Sequence, residues 1–555
     1  MLVRCLLVFT TIWCSTTLGS IEISVDQGIL KGKYSKTLKG KTFKSFTGIP
    51  YAEPPVGELR FKPPIPAKQW EGVLDATKNH SICPQINVFT GNHKVVGNED
   101  CLYLNVYTPD STPSLGFPVM FYIHGGGWMC GNANSELYGP EMLLEEDVVL
   151  VVTNYRLGAL GFMSTGDLVV PGNNGLKDQN LALKWVKNNI RHFGGNPDRI
   201  TIFGQSAGGA SSHFHTLSPL SRDLISGAII QSGTAFAPWA ITLNPLDNAK
   251  KLANYLNCPT SSSEAIVECL KTVNAYEIVE QDTRFTEYSF HPVIPFKAVI
   301  EPEHEGAFLS EDPFEIVKSM KNAQIPLMTG ITREDGALGA ATLYRDKVIE
   351  ELNNNFAEVA PLLFFYDQAT TVSKEIRNFY FGDRKIDHKT KSELTDVFSD
   401  TWFYVATDSL ITMHTEYGKH PVYFYLFGYQ GYASYVNAYK DVSDHYNYGT
   451  CHSDELLYLF AHTIFPTHKM KEEDNRTMDI MVALWTNFAK TGNPTPPEDK
   501  LLNVKWNPVS SKNHEHYFID KNGNVRMGEN WELDRLKFIR KVKFNSRWNI
   551  IRDEL

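Results

Sequence analysis

Along the first half of the chain, short apolar runs alternate with stretches whose apolar positions recur at helical spacing. Pro118 to Ile123 (PVMFYI) and Asp147 to Thr153 (DVVLVVT) are near-continuous apolar runs of strand length, the pattern of strands buried on both faces. Asn180 to Ile190 (NLALKWVKNNI) follows the 3.6-residue period and predicts a helix. Arg199 to Phe203 (RITIF) returns to strand, and Leu224 to Gln231, Ile325 to Gly330 and Val422 to Phe427 continue the series. Strands alternating with helices predict an α/β fold, a mostly parallel central sheet with helices on both faces.

Neither a repeat nor a Gly/Ser-rich linker interrupts the chain. Length alone suggests roughly three or four domains. The residues singled out below run from Gly126 to His452, however, so a single large domain over 20–555 is expected to bring them together.

Gly204-Gln205-Ser206-Ala207-Gly208 stands between the Arg199 to Phe203 strand and a helix-forming stretch, Ala207 to Thr216. A G-x-S-x-G pentapeptide carries little information by itself, since it arises by chance in about one chain of this length in five. Between strand and helix it has the setting of a nucleophile elbow, where flanking glycines permit a strained turn that lifts the serine oxygen above the sheet. The helix N-terminus beneath favours negative charge developing on a substrate. His124-Gly125-Gly126-Gly127 ends the earlier Pro118 to Ile123 strand. A glycine run there supplies the rest of an oxyanion hole, because its N–H groups approach the tetrahedral oxygen without a Cβ in the way. The expected donors are the N–H groups of Gly126, Gly127 and Ala207, each lowering the barrier by about 3 kcal/mol. A lone triple glycine would be read as a flexible loop; ahead of G-x-S-x-G it is read as chemistry.

The acid and base of such a site follow the serine in the order Asp or Glu, then His. Glu334-Asp335-Gly336 and His452, in Gly449-Thr-Cys-His-Ser-Asp-Glu-Leu, stand in that order. With 17 histidines in the chain, pattern alone leaves the base open.

The net charge of −10 argues against a nucleic-acid partner, which favours a basic face. Arg4, the apolar run Cys5 to Ile12 and the small-residue site Thr17-Leu18-Gly19 read as a secretory signal over residues 1–19. That run is too short to span a bilayer, and no later segment is expected to span. Removing the signal leaves Cys83, Cys101, Cys130, Cys258, Cys269 and Cys451 in a compartment where disulfides form. Cys83 with Cys101 and Cys258 with Cys269 would close two short loops, although spacing does not fix connectivity. Neither pair has C-x-x-C spacing, so no metal is expected, and no cofactor is implied. Asn79-His-Ser and Asn475-Arg-Thr are glycosylation sequons. Arg552-Asp553-Glu554-Leu555 differs from K-D-E-L only at its basic first position, which predicts an ER-retrieval receptor as a partner and the ER lumen as the location. The basic stretch Arg535 to Arg552 predicts a final helix packed on the domain with its basic face in water, a membrane-surface helix being the alternative.

On these residues the chain resembles the type-B carboxylesterases, the family that includes the cholinesterases. Phe193-Gly-Gly-Asn-Pro-Asp-Arg-Ile-Thr-Ile-Phe-Gly-Gln-Ser-Ala-Gly matches the family's serine signature, and Glu99-Asp-Cys-Leu-Tyr-Leu-Asn-Val its second signature. Gly48-Ile-Pro-Tyr-Ala, Asn154-Tyr-Arg, Asp178-Gln179-Asn180 and Gln231-Ser-Gly match as well. The resemblance runs from Gly28 to the region of Asn493-Pro494. It implies an α/β-hydrolase fold and hydrolysis of a small-molecule carboxylic ester through a covalent acyl-enzyme. Ser206 is then the nucleophile, His452 the base and Asp335, the residue before Gly336, the acid, where many relatives carry glutamate. Adjacent Glu334 competes for that last role. The resemblance also implies the disulfides Cys83–Cys101 and Cys258–Cys269, ion pairs Arg60–Glu99 and Arg156–Asp178, and Ser232 beside the acid, all as scaffold.

Two departures from the cholinesterases bear on the substrate. Gly91 stands where they carry an indole that holds the choline cation, and neutral Gln205 where they carry glutamate. Without either attraction, neutral acyl esters are expected. G-Q-S-A-G, with Arg60-Phe61 and Asp178-Gln179, is similar to the insect juvenile hormone esterases, and related secreted insect carboxylesterases share these features, so the resemblance implies that hormone as only one substrate among the esters to test. The rival reading is a catalytically inactive adhesion or binding protein on the same fold, of the neuroligin kind. Such relatives lose the serine or the histidine and add a membrane span, whereas this chain keeps both residues.

Overall fold

In the computed structural model, which describes residues 20–542 except 112, 290, 292–293, 367–369 and 511–513, the apolar runs form strands buried on both sides. Phe117–Ile123, Val149–Thr153, Gly195–Gln205, Gly227–Gln231, Leu327–Thr332, Val422–Phe427 and His516–Ile519 lie parallel to one another. Across the sheet, Val149–Thr153 comes first, then Phe117–Ile123, then the others in chain order. Antiparallel strands extend both edges, from Ser20–Val25 on one side to Val525–Gly528 on the other, giving a 13-stranded sheet.

Side chains alternate across a strand, and here they feed two cores. Phe121, Val151, Ile202 and Ile230 enter one, with Leu183 and Val186 of the helix Asn174–Asn189 and Phe214 of the helix Ala207–Leu217. Tyr122, Val152, Phe203 and Ile229 enter the other, with Met481, Leu484 and Trp485 of the helix Glu472–Thr491. This two-sided burial is why the strands read as continuous apolar runs. The architecture is the α/β-hydrolase type that the sequence leads one to expect.

Several boundaries differ from the sequence expectation. The helix read from Asn180 begins at Asn174, because its polar first turns are buried against partners. Asn174 Nδ2 donates to the Phe61 carbonyl, Lys177 Nζ meets Glu301 at 2.6 Å, and Asp178 holds Arg156. The strand read from Leu224 begins only at Gly227, after a short 3-10 turn at Arg222–Leu224.

Of the basic stretch Arg535 to Arg552, 543–552 lies outside the described residues, and 535–542 departs in part from the expectation. The helix Leu533–Ile539 buries Leu536 and Ile539, as a packed helix should, and Lys537 and Lys541 face water as expected, but Arg535 is drawn inward and the 42%-exposed Arg540 that follows the helix is paired as well. Arg535 forks onto Asp400 at 2.9 and 2.6 Å and reaches Asp396 at 2.8 Å, while Arg540 forks onto Asp408 at 2.8 and 2.6 Å. Those carboxylates lie far away in sequence, so charge content alone suggested a solvated face. The signal at 1–19 and the tetrapeptide Arg552 to Leu555 lie outside the described residues.

Both disulfides, Cys83–Cys101 and Cys258–Cys269, are formed, and Cys130 and Cys451 are buried free thiols. Arg60 forks onto Glu99 at 2.7 and 2.6 Å, and Arg156 onto Asp178 at 2.8 and 2.6 Å. Among the described residues no helix is long and apolar enough to cross a membrane.

Candidate active site

Ser206 joins strand Gly195–Gln205 to helix Ala207–Leu217 at φ 60° and ψ −125°, a conformation that a residue with a Cβ keeps only under constraint. Its N–H donates to the Gln231 carbonyl at 2.8 Å, and its carbonyl accepts from Ala210 N–H at 2.9 Å. A Cβ at Gly204 would stand 2.4 Å from the Gly208 carbonyl oxygen, and one at Gly208 only 2.0 Å from that of Ile123. Both glycines of the pentapeptide are therefore packing requirements of a turn seated tightly against the neighbouring strand.

His452 is buried beside this turn, its Nδ1 2.7 Å from Asp335 Oδ1. With a carboxylate as partner the ring proton belongs on Nδ1, which leaves Nε2 as an acceptor. Asp335 Oδ2 accepts from Ser232 Oγ at 2.8 Å and from Thr332 N–H at 3.3 Å. Glu334 turns away: its Oε2 accepts from Thr450 N–H at 2.8 Å and its Oε1 faces Arg333 at 3.5 Å. Burial raises the Glu334 carboxyl pKa. Phe403 stacks on the imidazole at 4.5 Å between centroids, and the Gln205 amide N–H donates to His452 Nε2 at 3.0 Å.

Glu455 lies behind this pair, fully buried, accepting from Gln231 Nε2 at 3.2 Å. Burial, and then the Asp335 charge, push its carboxyl up to about 8. Both effects favour the protonated carboxyl over a second negative charge beside Asp335.

The glycine loop touches the elbow directly. A Cβ at Gly125 would lie 2.6 Å from the Gln205 carbonyl oxygen and 3.0 Å from Ser206 Cβ. Among the described residues the N–H groups of Gly126, Gly127 and Ala207 have no hydrogen-bond partner, Ala207 being the first residue of its helix.

A cavity of about 510 Å³ brings together Ser206, His452, Gln205, Gly126 and Gly127. Apart from Ser453, the rest of its described wall is apolar or aromatic: Phe89, Trp239, Ile294, Leu338, Phe365, Trp402, Phe403 and Tyr439. Among the described residues, neither Asp nor Glu lines it. Gly91 lies beside the Arg345 guanidinium, which a Cβ there would approach to 3.9 Å.

The wall residues escaped the sequence reading. Trp402 and Phe403 ride on a π-helical turn, Asp400–Tyr404, whose wider spacing breaks the 3.6 period. Their only signal was the aromatic density of that segment. Phe89 sits in a 3-10 turn and Tyr439 ends a four-residue helix, elements too short to have a period. Both sequon asparagines, Asn79 and Asn475, are exposed.

The profile of the carboxylesterase family matches residues 19–539. A juvenile hormone esterase of Tribolium castaneum is 36% identical, over 96% of this chain and 94% of its own length. Esterase FE4 of Myzus persicae is 39% identical, over 90% of this chain and 88% of its own. Among solved structures, the juvenile hormone esterase of Manduca sexta with OTFP covalently attached superposes with a TM-score of 0.82 at 29% identity, covering 94% of this chain and 99% of that one.

Proposed function

The chain belongs to the carboxylesterase family and is a carboxylic-ester hydrolase, and we propose that it works through Ser206 as nucleophile, His452 as base and Asp335 as acid. The contact that carries this assignment is His452 Nδ1 on Asp335 Oδ1 at 2.7 Å, in the cavity that also holds the strained Ser206. Catalytic hydrogen bonds often tighten only when substrate binds. As an ester seats, the Gln205 amide gives up His452 Nε2 to the Ser206 hydroxyl. His452 then takes the hydroxyl proton while Ser206 Oγ attacks the ester carbonyl, and Asp335 stabilises the imidazolium. The N–H groups of Gly126, Gly127 and Ala207 receive the oxyanion. The imidazolium returns its proton to the departing alcohol, and water activated by His452 then releases the acid from Ser206.

Ser206→Ala is expected to lower turnover of short-chain aryl esters by several orders of magnitude with the fold intact. Residual activity above about a tenth of wild type overturns the assignment of the nucleophile.

The substrate reading is a neutral ester with apolar acyl or alcohol groups, supported by the largely apolar wall and by the lack of Asp or Glu among the described residues that line it. Two relatives bear the name juvenile hormone esterase, so that hormone belongs in a panel of test esters. The relatives named above are esterases, which leaves the inactive binding protein without support. For location, the signal and the Arg552 to Leu555 tetrapeptide support the ER lumen. Deleting that tetrapeptide should move the enzyme from lysate to medium, and equal secretion of both forms overturns retention.

A further inference from the structure

Arg345 ends the helix Ala337–Arg345, which starts directly after Asp335-Gly336. Its side chain is 15% exposed and neighbours three segments that are far apart in sequence. Nε and Nη2 fork onto the carboxylate of adjacent Asp346 at 2.7 and 2.9 Å. Nη1 donates to two backbone carbonyls, that of Phe89 at 2.7 Å and that of Tyr439 at 3.0 Å. Phe89 and Tyr439 both line the Ser206 cavity. Asp346 in turn accepts from the Ser289 hydroxyl, in the segment that leads to Ile294, a third wall residue.

Arg345 itself lines a second cavity, of about 860 Å³, together with Val88, Gly91 and Ser289. The guanidinium thus stands in a partition: the carbonyls it grips belong to the inner wall, while its own surface faces the outer space. Hydrogen bonds from a charged donor are roughly twice as strong as neutral ones. The planar fork also fixes direction, which a lysine ammonium does not. No reacting atom is touched, so the effect is on the shape of the chamber.

We propose that Arg345 is a specificity-determining residue, a strut that holds the Phe89 and Tyr439 walls in place and so limits the size of the acyl or alcohol group the cavity accepts. This rests on the reading of the Ser206 cavity as the ester site.

Arg345→Met keeps the stem and removes the fork, and Arg345→Lys keeps the charge without the planar geometry. Both would be compared with wild type on aryl esters from acetyl to decanoyl and on one branched acyl ester. Reactive sites would be counted with a serine-reactive organophosphate. For acetyl esters kcat should stay within about threefold of wild type, while kcat/KM for long or branched relative to acetyl esters rises about tenfold in the Met variant, through KM. The Lys variant should fall between. An unchanged acyl profile in a fully titratable Met variant overturns the strut. If the Met variant does not fold, an unchanged profile in the Lys variant has the same force. Absence of ester turnover and of a titratable serine in the wild type would instead overturn the site reading itself.

Discussion

Replacing Asp335 with asparagine should reverse the proton arrangement of His452. Ser232 Oγ and Thr332 N–H both donate to Asp335 Oδ2, so an amide would turn its oxygen toward those donors and its NH2 toward His452. An N–H facing Nδ1 makes that nitrogen an acceptor and moves the ring proton to Nε2, the atom needed as base. Where the equivalent change has been made in a serine–histidine–aspartate site, the geometry survives and kcat drops about 10⁴-fold. By transition-state arithmetic that is about 5 kcal/mol. Glu334→Gln is the matched control. Glu334 accepts from Thr450 N–H at 2.8 Å, which an amide oxygen can also do, and its Arg333 partner at 3.5 Å is half exposed. That change should cost no more than about threefold, the scale of a solvent-screened pair. Butyryl aryl ester turnover per titrated site separates the two, with circular dichroism as a check on folding. A larger loss from Glu334→Gln, or an Asp335→Asn variant above a tenth of wild-type rate, would refute the assignment.

Three other outcomes are expected. The Glu455 carboxyl is raised from 4.5 to about 8 in the folded state, so its contribution to stability is full below the lower value and is lost as pH climbs toward the higher. In denaturant melts, Glu455→Gln should therefore lose less stability than wild type between about pH 5 and 8, and equal slopes would contradict this. Butyryl aryl esters should be favoured over acetylcholine by tenfold or more, each missing cation contact being worth roughly 1 to 2 kcal/mol; comparable specificity constants would remove this basis for the selectivity. Gly208→Ala forces a Cβ to within 2.0 Å of the Ile123 carbonyl oxygen, and thermal melts should show it strongly destabilised or unfolded. A wild-type melting point with full activity would mean that the elbow is looser than its geometry implies.

The central strands were legible because burial on both faces leaves no polar interruption in PVMFYI or VLVVT. The antiparallel edges Ser20–Val25 and Val525–Gly528 were not, since they are mostly partly exposed and mix polar with apolar positions. Within the site, the glycines carried the information. Gly204 and Gly208 tolerate no Cβ, and the residue pattern records that directly. The choice of carboxylate needed three dimensions: Glu334 and Asp335 are adjacent, and only backbone direction sends one to Thr450 and the other to His452. The chamber wall was the least readable part. Phe89, Trp402 and Tyr439 come from short or irregular turns, and their convergence depends on ties such as Arg345 to distant carbonyls, which leave no local spacing signal.

The assignment of Ser206 as nucleophile meets its most direct test in covalent labelling. A serine-reactive organophosphate would be titrated against the purified enzyme, with esterase activity followed in parallel and the labelled peptide sequenced by mass spectrometry. The expected result is loss of activity in proportion to label, one equivalent at completion, with the modification on Ser206. Inactivation with the label on another residue, or full activity after Ser206 is modified, would contradict it.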